Sequence, residues 1–287
     1  MESLVAPLTA RLAFDRLVIA PGVVVLALLL GPGCGGNNSR TAPTNVPANL
    51  VAPLAARPQL SLVYRVRFEG GSLAPAVDTI GVGAIKLGHT QVADSMPTWQ
   101  LGGGGLTLGI MRPADQPAVT RLVVAGPMAT PVGFAAGTVF GMRAVFAGLA
   151  GPHAAENVWA MALVARTGDE NQLESDLFTA ATLQVRADGA RLNTPGCGPT
   201  DLPNVPQDVY DALVGGATFR LELVVDRVTG VGNAALYVGA FEVSNTCTFA
   251  GFTSTGGPTI TAIGPNLAVA RGPGRASVRV LDFQVFK

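Results

Sequence analysis

Apolar and polar residues alternate one by one along much of the chain, most plainly in residues 217–243. There Phe219, Leu221, Leu223 and Val225 alternate with Arg220, Glu222 and Asp226, the period-two signature of a strand with one buried face. Val224 alone breaks the alternation. A glycine-bearing turn at residues 229–233 leads into Leu236-Tyr237-Val238, so the segment predicts strand, turn and antiparallel strand.

The same grammar recurs upstream. In residues 60–69, Leu62, Tyr64, Val66 and Phe68 face one way and Ser61, Arg65 and Arg67 the other, which predicts the first strand. Residues 77–87, with Gly81 and Gly83, predict another short strand. Trp99-Gln100-Leu101, four glycines at 102–105 and residues 106–111 read as a hairpin around a flexible loop. Further strands are expected at 119–124, 139–146, 158–166 and 177–185, the last followed by an Asp188-Gly189 turn and a short return through Arg191-Leu192. Trp159 falls at core parity with Met161, Leu163 and Ala165.

One segment breaks the period. Residues 206–214 carry Pro206 near the first turn, Asp208 early and Gly215 after the end, which are helix start and stop signals. The chain then closes on residues 276–287. Val278 and Val280 share one parity and Leu281, Phe283 and Val285 the other, predicting a bulge where the strand changes facing. So apolar a strand would aggregate as an open edge, and is expected to pair inside a sheet. About a dozen short strands and one short helix predict an all-β fold, a two-sheet antiparallel β-sandwich.

Composition agrees. Of 287 residues 48% are hydrophobic and 13% charged, with 36 Gly and 21 Pro, enough apolar surface for a core and enough punctuation for many turns. The 19 basic and 19 acidic residues cancel, and the basic ones are scattered, which argues against a nucleic-acid partner. The 102–105 glycines lack the following Lys-Ser/Thr of a phosphate loop. His89 and His153 stand far from any cysteine in sequence, so no Cys/His spacing points to a metal.

The N-terminus reads as an address. Arg11 and Arg16 precede an apolar run at 17–30, shorter than the roughly 20 residues of a membrane span and suited to a signal-peptide core. Gly31-Pro32-Gly33-Cys34 and a polar stretch follow, and here the chain resembles a bacterial lipoprotein precursor. Gly31 stands where that family usually has Leu, and Glu2 and Asp15 dilute the positive start. The resemblance implies acylation of Cys34 and an outer-membrane lipoprotein of the cell envelope; cleaved secretion and an uncleaved anchor are the alternatives. The domain layout is then 1–33 signal peptide, 34–58 flexible tether and 59–287 folded domain. Cys197 and Cys247 remain for a disulfide, which an oxidising envelope allows and which would add roughly 4 kcal/mol on the chain-entropy account. Two unrelated buried thiols are the alternative.

The C-terminal third resembles the concanavalin A-like lectin/glucanase and laminin G-like jelly rolls. The resemblance rests on the strand at 218–226, Leu236-Tyr237-Val238-Gly239, Ile263-Gly264 and the final strand at 278–286. It implies a jelly roll whose first and last strands are neighbours. An enzyme of this shape would place carboxylates at alternate strand positions, a relation shown by Glu174 and Asp176, although the third acid of the glucanase pattern is missing. Sugar binding needs an aromatic platform, for which Trp99 is the candidate. Calcium would draw on Asp169, Glu170, Asn171 and Asp176, with no ordered motif behind it, so no cofactor is expected. The leading expectation is a non-catalytic, lipid-anchored module binding glycan or a cell-surface protein, or serving structurally. The alternative is a divergent glycoside hydrolase using Glu174 and Asp176.

Overall fold

The computed structural model describes Leu54 and residues 59–81, 83–90, 96–102, 104–112, 120–127, 139–151, 159–167, 177–194, 202–249, 260–269 and 274–287. All belong to one unit, Thr41–Lys287. In chain order the elements are β1 (Leu62–Arg67), β2 (Val77–Asp78), β3 (Lys86–Thr90), β4 (Met96–Gly102), β5 (Gly105–Arg112), β6 (Thr120–Pro127), β7 (Val139–Ala150), β8 (Trp159–Thr167), β9 (Leu177–Arg186) and β10 (Gly189–Asn193). Helix α1 (Gln207–Val214) follows, then β11 (Phe219–Asp226), β12 (Val231–Val238), β13 (Phe241–Thr248), β14 (Ile260–Val269) and β15 (Gly274–Phe286).

These strands form two antiparallel sheets. The nine-stranded sheet runs β13-β12-β11-β7-β15-β1-β2, with β5 also on β15 and β4 outside β5; the six-stranded sheet runs β10-β9-β8-β14-β6-β3. The architecture is the expected two-sheet β-sandwich of jelly-roll type, with a single α-helix among the described residues. One continuous core joins the sheets: Phe140, Phe146, Phe219, Phe283, Leu106 and Leu108 come from the larger, Leu183, Val185, Leu192 and Leu267 from the smaller. The Phe146 and Phe219 rings stack at 5.0 Å between centroids.

Strand β15 organises the larger sheet. Along one edge it pairs with β7, and along the other with β5 through Val280 and then with β1 from Asp282. Its pairing with β7 shifts register between Val280 and Asp282, so the expected bulge exists and lets both Val280 and Phe283 reach the core. The terminal strand is interior to the sheet and is the neighbour of β1, as the resemblance implied.

Helix α1 also lies where expected. Asp208 stands in its first turn, where a carboxylate complements the helix dipole, and Val209, Tyr210 and Leu213 are buried. The Tyr210 hydroxyl donates to the carbonyl of Arg186 at 2.7 Å, tying the helix to the end of β9. Residues 77–87, read as one strand, divide instead. Val77–Asp78 joins the larger sheet and Lys86–Thr90 the smaller, and Gly81 and Gly83, at φ 71° and 78°, carry the connection through backbone conformations that side chains oppose. The hairpin turn is shorter than expected, because β12 already begins at Val231.

Tyr64 gives the core a pH limit. It is buried, its hydroxyl donates to the carbonyl of Gly83 at 2.9 Å, and burial, then the nearby Asp78 carboxylate, raise its pKa well above the ordinary 10.0. A phenol whose folded pKa exceeds its unfolded value contributes stability that is complete below the unfolded pKa and declines as pH rises above it. Thermal melts from about pH 8 to about pH 11 should therefore show Tm falling above pH 10, and less steeply for Tyr64→Phe; equal slopes would contradict the assignment.

Candidate functional site

Two features of the larger sheet present chemistry on the side away from the core. The first follows from alternation on β11: Leu221 and Leu223 enter the core, so Arg220, Glu222 and Val224 face outward. Register places Glu222 beside Arg143 of β7, and Arg143 beside Gln284 of β15. Arg143 Nε donates to Glu222 Oε1 at 2.7 Å, and Arg220 Nε forms an ion pair with the same oxygen at 2.9 Å. Arg143 Nη1 donates to Gln284 Oε1 at 3.3 Å, Gln284 Nε2 to Asp282 Oδ2 at 2.7 Å, and Arg65 Nε to both Asp282 oxygens at 3.0 and 3.1 Å. The Arg220 guanidinium lies 4.1 Å from the centre of the Tyr237 ring, and that of Arg143 lies 5.3 Å from that of Phe286. The stripe thus crosses β12, β11, β7, β15 and β1.

Glu222 sits at its centre with its side chain only 3% exposed. Its second oxygen is also engaged: Oε2 accepts the backbone N–H of Leu54 at 3.2 Å. Leu54 is itself buried, with its side chain against Val224 and over Gly141, where an added Cβ would lie 3.0 Å from both Leu54 methyl carbons. Leu60, Val139, Val231 and Phe286 pack around this small cluster. Val224, the residue that broke the alternation, is therefore the floor of a socket. Burying a leucine side chain contributes about 1.5–3 kcal/mol, and a hydrogen bond to a charged acceptor a similar amount.

A general acid or base needs a proton it can exchange with substrate. Glu222 and Asp282 are both committed to guanidinium partners, so the stripe is suited to holding strands in register and poorly suited to proton transfer. Burial first, then the Glu222 and Glu242 carboxylates, raise the pKa of Tyr237, which keeps its hydroxyl a neutral phenol.

The second feature is a groove of about 660 Å³ where β4, β5, β15 and the end of β7 meet. One row across the sheet sets its character: Thr98, Gly109, Ser277 and Ala150 are partners in successive strands. Two hydroxyl residues thus flank a position without a side chain. An added Cβ at Gly109 would stand 2.6 Å from Thr98 Oγ1, so the glycine leaves the space in which the Thr98 hydroxyl sits. Met111, Ile110 and Ala276 supply apolar lining and Arg275 a cation, and among the described lining residues none is acidic. Such a surface can stack on an apolar face and hydrogen-bond hydroxyls or a carboxylate.

The anticipated site residues divide between described and undescribed parts of the chain. Trp99 is 51% exposed on β4, at the sheet margin. It pairs with the core residue Leu108, so alternation directs it to the other face from Thr98, and it does not line the groove. Cys247 lies on β13 opposite Gly232 and is engaged by a partner. Cys34, Cys197, Asp169, Glu170, Asn171, Glu174 and Asp176 lie outside the described residues. Among the described residues no cluster of His, Cys, Asp and Glu could hold a metal ion, and no helix is long and apolar enough to cross a membrane. Neither the socket nor the groove was anticipated from sequence; Val224 was the one visible signal, as an apolar residue in an outward row.

These features define a jelly-roll sandwich with a salt-bridged outer face and a hydroxyl-lined groove at its side. No protein-family model matches the chain, and no curated protein matches it. Among solved structures it is similar to lectin UEA-II complexed with galactose (10% identity, 78% of this chain and 99% of that chain, TM-score 0.38) and to an endo-β-1,4-glucuronan lyase from the fungus Trichoderma reesei (10% identity, 69% and 89%, TM-score 0.39). It is also similar to arcelin-5, a lectin-like defense protein from Phaseolus vulgaris (6% identity, 70% and 97%, TM-score 0.37). The fold assignment above rests on strand pairing and core composition, independently of these likenesses.

Removing the Glu222 carboxylate leaves Arg143, half of a nearly dry ion pair, without its partner. Glu222→Ala should lower unfolding free energy by about 3 kcal/mol in denaturant titration. Glu222→Gln, which keeps an acceptor oxygen for Leu54, should cost measurably less. A loss below about 1 kcal/mol for Glu222→Ala, the level of a surface pair, would show that the pair is solvated.

Proposed function

We propose that the protein is an exported, lipid-anchored, non-catalytic module of a bacterial cell envelope that binds glycan. The observation that carries the glycan reading is the groove along the row of Thr98, Gly109 and Ser277, with the Thr98 hydroxyl over the glycine, Arg275 beside it and apolar lining from Met111 and Ile110. Sugar recognition requires this combination: hydroxyl and charged groups to read hydroxyls, and an apolar surface for the C–H face of the ring. The non-catalytic part is supported by the commitment of Glu222 and Asp282 to arginines. The export reading is supported by the apolar run, Cys34 and the polar stretch after it. In an oxidising compartment Cys197 and Cys247 would form a disulfide.

A glycan array probed with the full-length protein should identify binders. For any binder, titration calorimetry should show affinity falling about tenfold or more in Arg275→Ala, and further when Gly109→Val fills the row. If Trp99→Ala abolishes binding while the groove variants leave it intact, the ligand sits at the strand margin instead. No binding across the array would remove the recognition part of this reading.

A further inference from the structure

The contact between Leu54 and the outer face of the larger sheet has a meaning separate from the groove. Leu54 precedes the first strand, yet its side chain is 4% exposed and its N–H is spent on Glu222. The surface that receives it is shaped for it: Gly141 leaves room that a Cβ would fill, Val224 is the apolar exception on an outward row, and Val139, Val231 and Phe286 rim the position. The Leu54 N–H donates to Glu222 Oε2, while both arginines engage Oε1. Leu54 lies in a 3-10 turn, and its side chain and backbone are both engaged by the sheet.

We propose that this socket is a peptide-docking surface whose occupant is the chain's own Leu54 segment, acting as a latch. The latch fixes where the N-terminal segment leaves the sandwich, on the outer face of the nine-stranded sheet at β7 and β11. One leucine side chain and one hydrogen bond make an attachment that opens without unfolding the domain. The latch does not depend on the glycan reading, and either can fail while the other stands.

The test uses the full-length protein and a fluorescein-labelled peptide of residues 49–58. In Leu54→Asp the socket loses its own occupant, and fluorescence polarisation should show the peptide binding in trans. Wild type should bind it more weakly by the ratio of the joined segment's effective concentration, about a millimolar, to the peptide's Kd, roughly a hundredfold for a peptide binding at about ten micromolar. A peptide carrying the same Leu54→Asp change should not bind either protein, and adding Gly141→Val to the vacated variant should abolish binding. If near-UV circular dichroism shows that Leu54→Asp does not fold, Leu54→Ala takes its place. Peptide that fails to bind a folded, vacated variant, or binds wild type equally well, overturns the proposal.

Discussion

The nine-stranded sheet depends on how one buried carboxylate is neutralised. Glu222 is nearly dry and takes two guanidinium partners and one backbone N–H. An ion in that position is tolerated only if its partners arrive in the correct geometry, and they come from three places: β7, β11 itself and the chain before β1. A slip of one residue between β7 and β11 would point Arg143 into the core and leave Glu222 bare. The pair therefore selects one register out of several that apolar packing alone would allow, and the Gln284–Asp282–Arg65 continuation extends the same selection to β15 and β1.

On the proposed glycan reading, this arrangement separates two tasks on one sheet. The central strands carry charge that is internally compensated and offers little to a ligand. Toward β4 and β5, the row of Thr98, Gly109 and Ser277 has hydroxyls, a missing side chain and a nearby cation. A surface that holds strands in place must satisfy its polar groups internally, whereas one that binds must leave some for a ligand. The sheet does the first at its centre and leaves the second to its side.

Much of the fold was legible in the sequence because alternation reports facing directly. The strands at β1, β5, β7, β9 and β11 and the bulge in β15 follow from it, and helix α1 follows from its start and stop signals at Pro206, Asp208 and Gly215. Two strands did not declare themselves. Strand β14 carries Gly264 and Pro265 in the middle of a central strand, where a proline ordinarily argues against a ladder; its pairing to β6 lapses between Ile263 and Asn266. Strand β13 is a polar edge, with Glu242, Ser244 and Thr246 on one side and Asn245 among the inward positions on the other. The site was less legible, for a physical reason. Glu222, Arg143 and Gln284 are separated by 79 and 141 positions in the sequence, and alternation shows which way each faces but not which strands will be neighbours. The groove depends on a glycine, whose contribution is an absence that composition does not advertise.

The position of β15 sets the order in which the molecule can be made. Strand β15 fills the slot between β7 on one side and β5 and β1 on the other, so without it the larger sheet exists only as separate pieces. Pairing strands so distant in sequence is slow, because the entropy of closing the intervening chain precedes the reward of contact. The larger sheet is therefore closed late, by the one strand that β7, β5 and β1 all wait for.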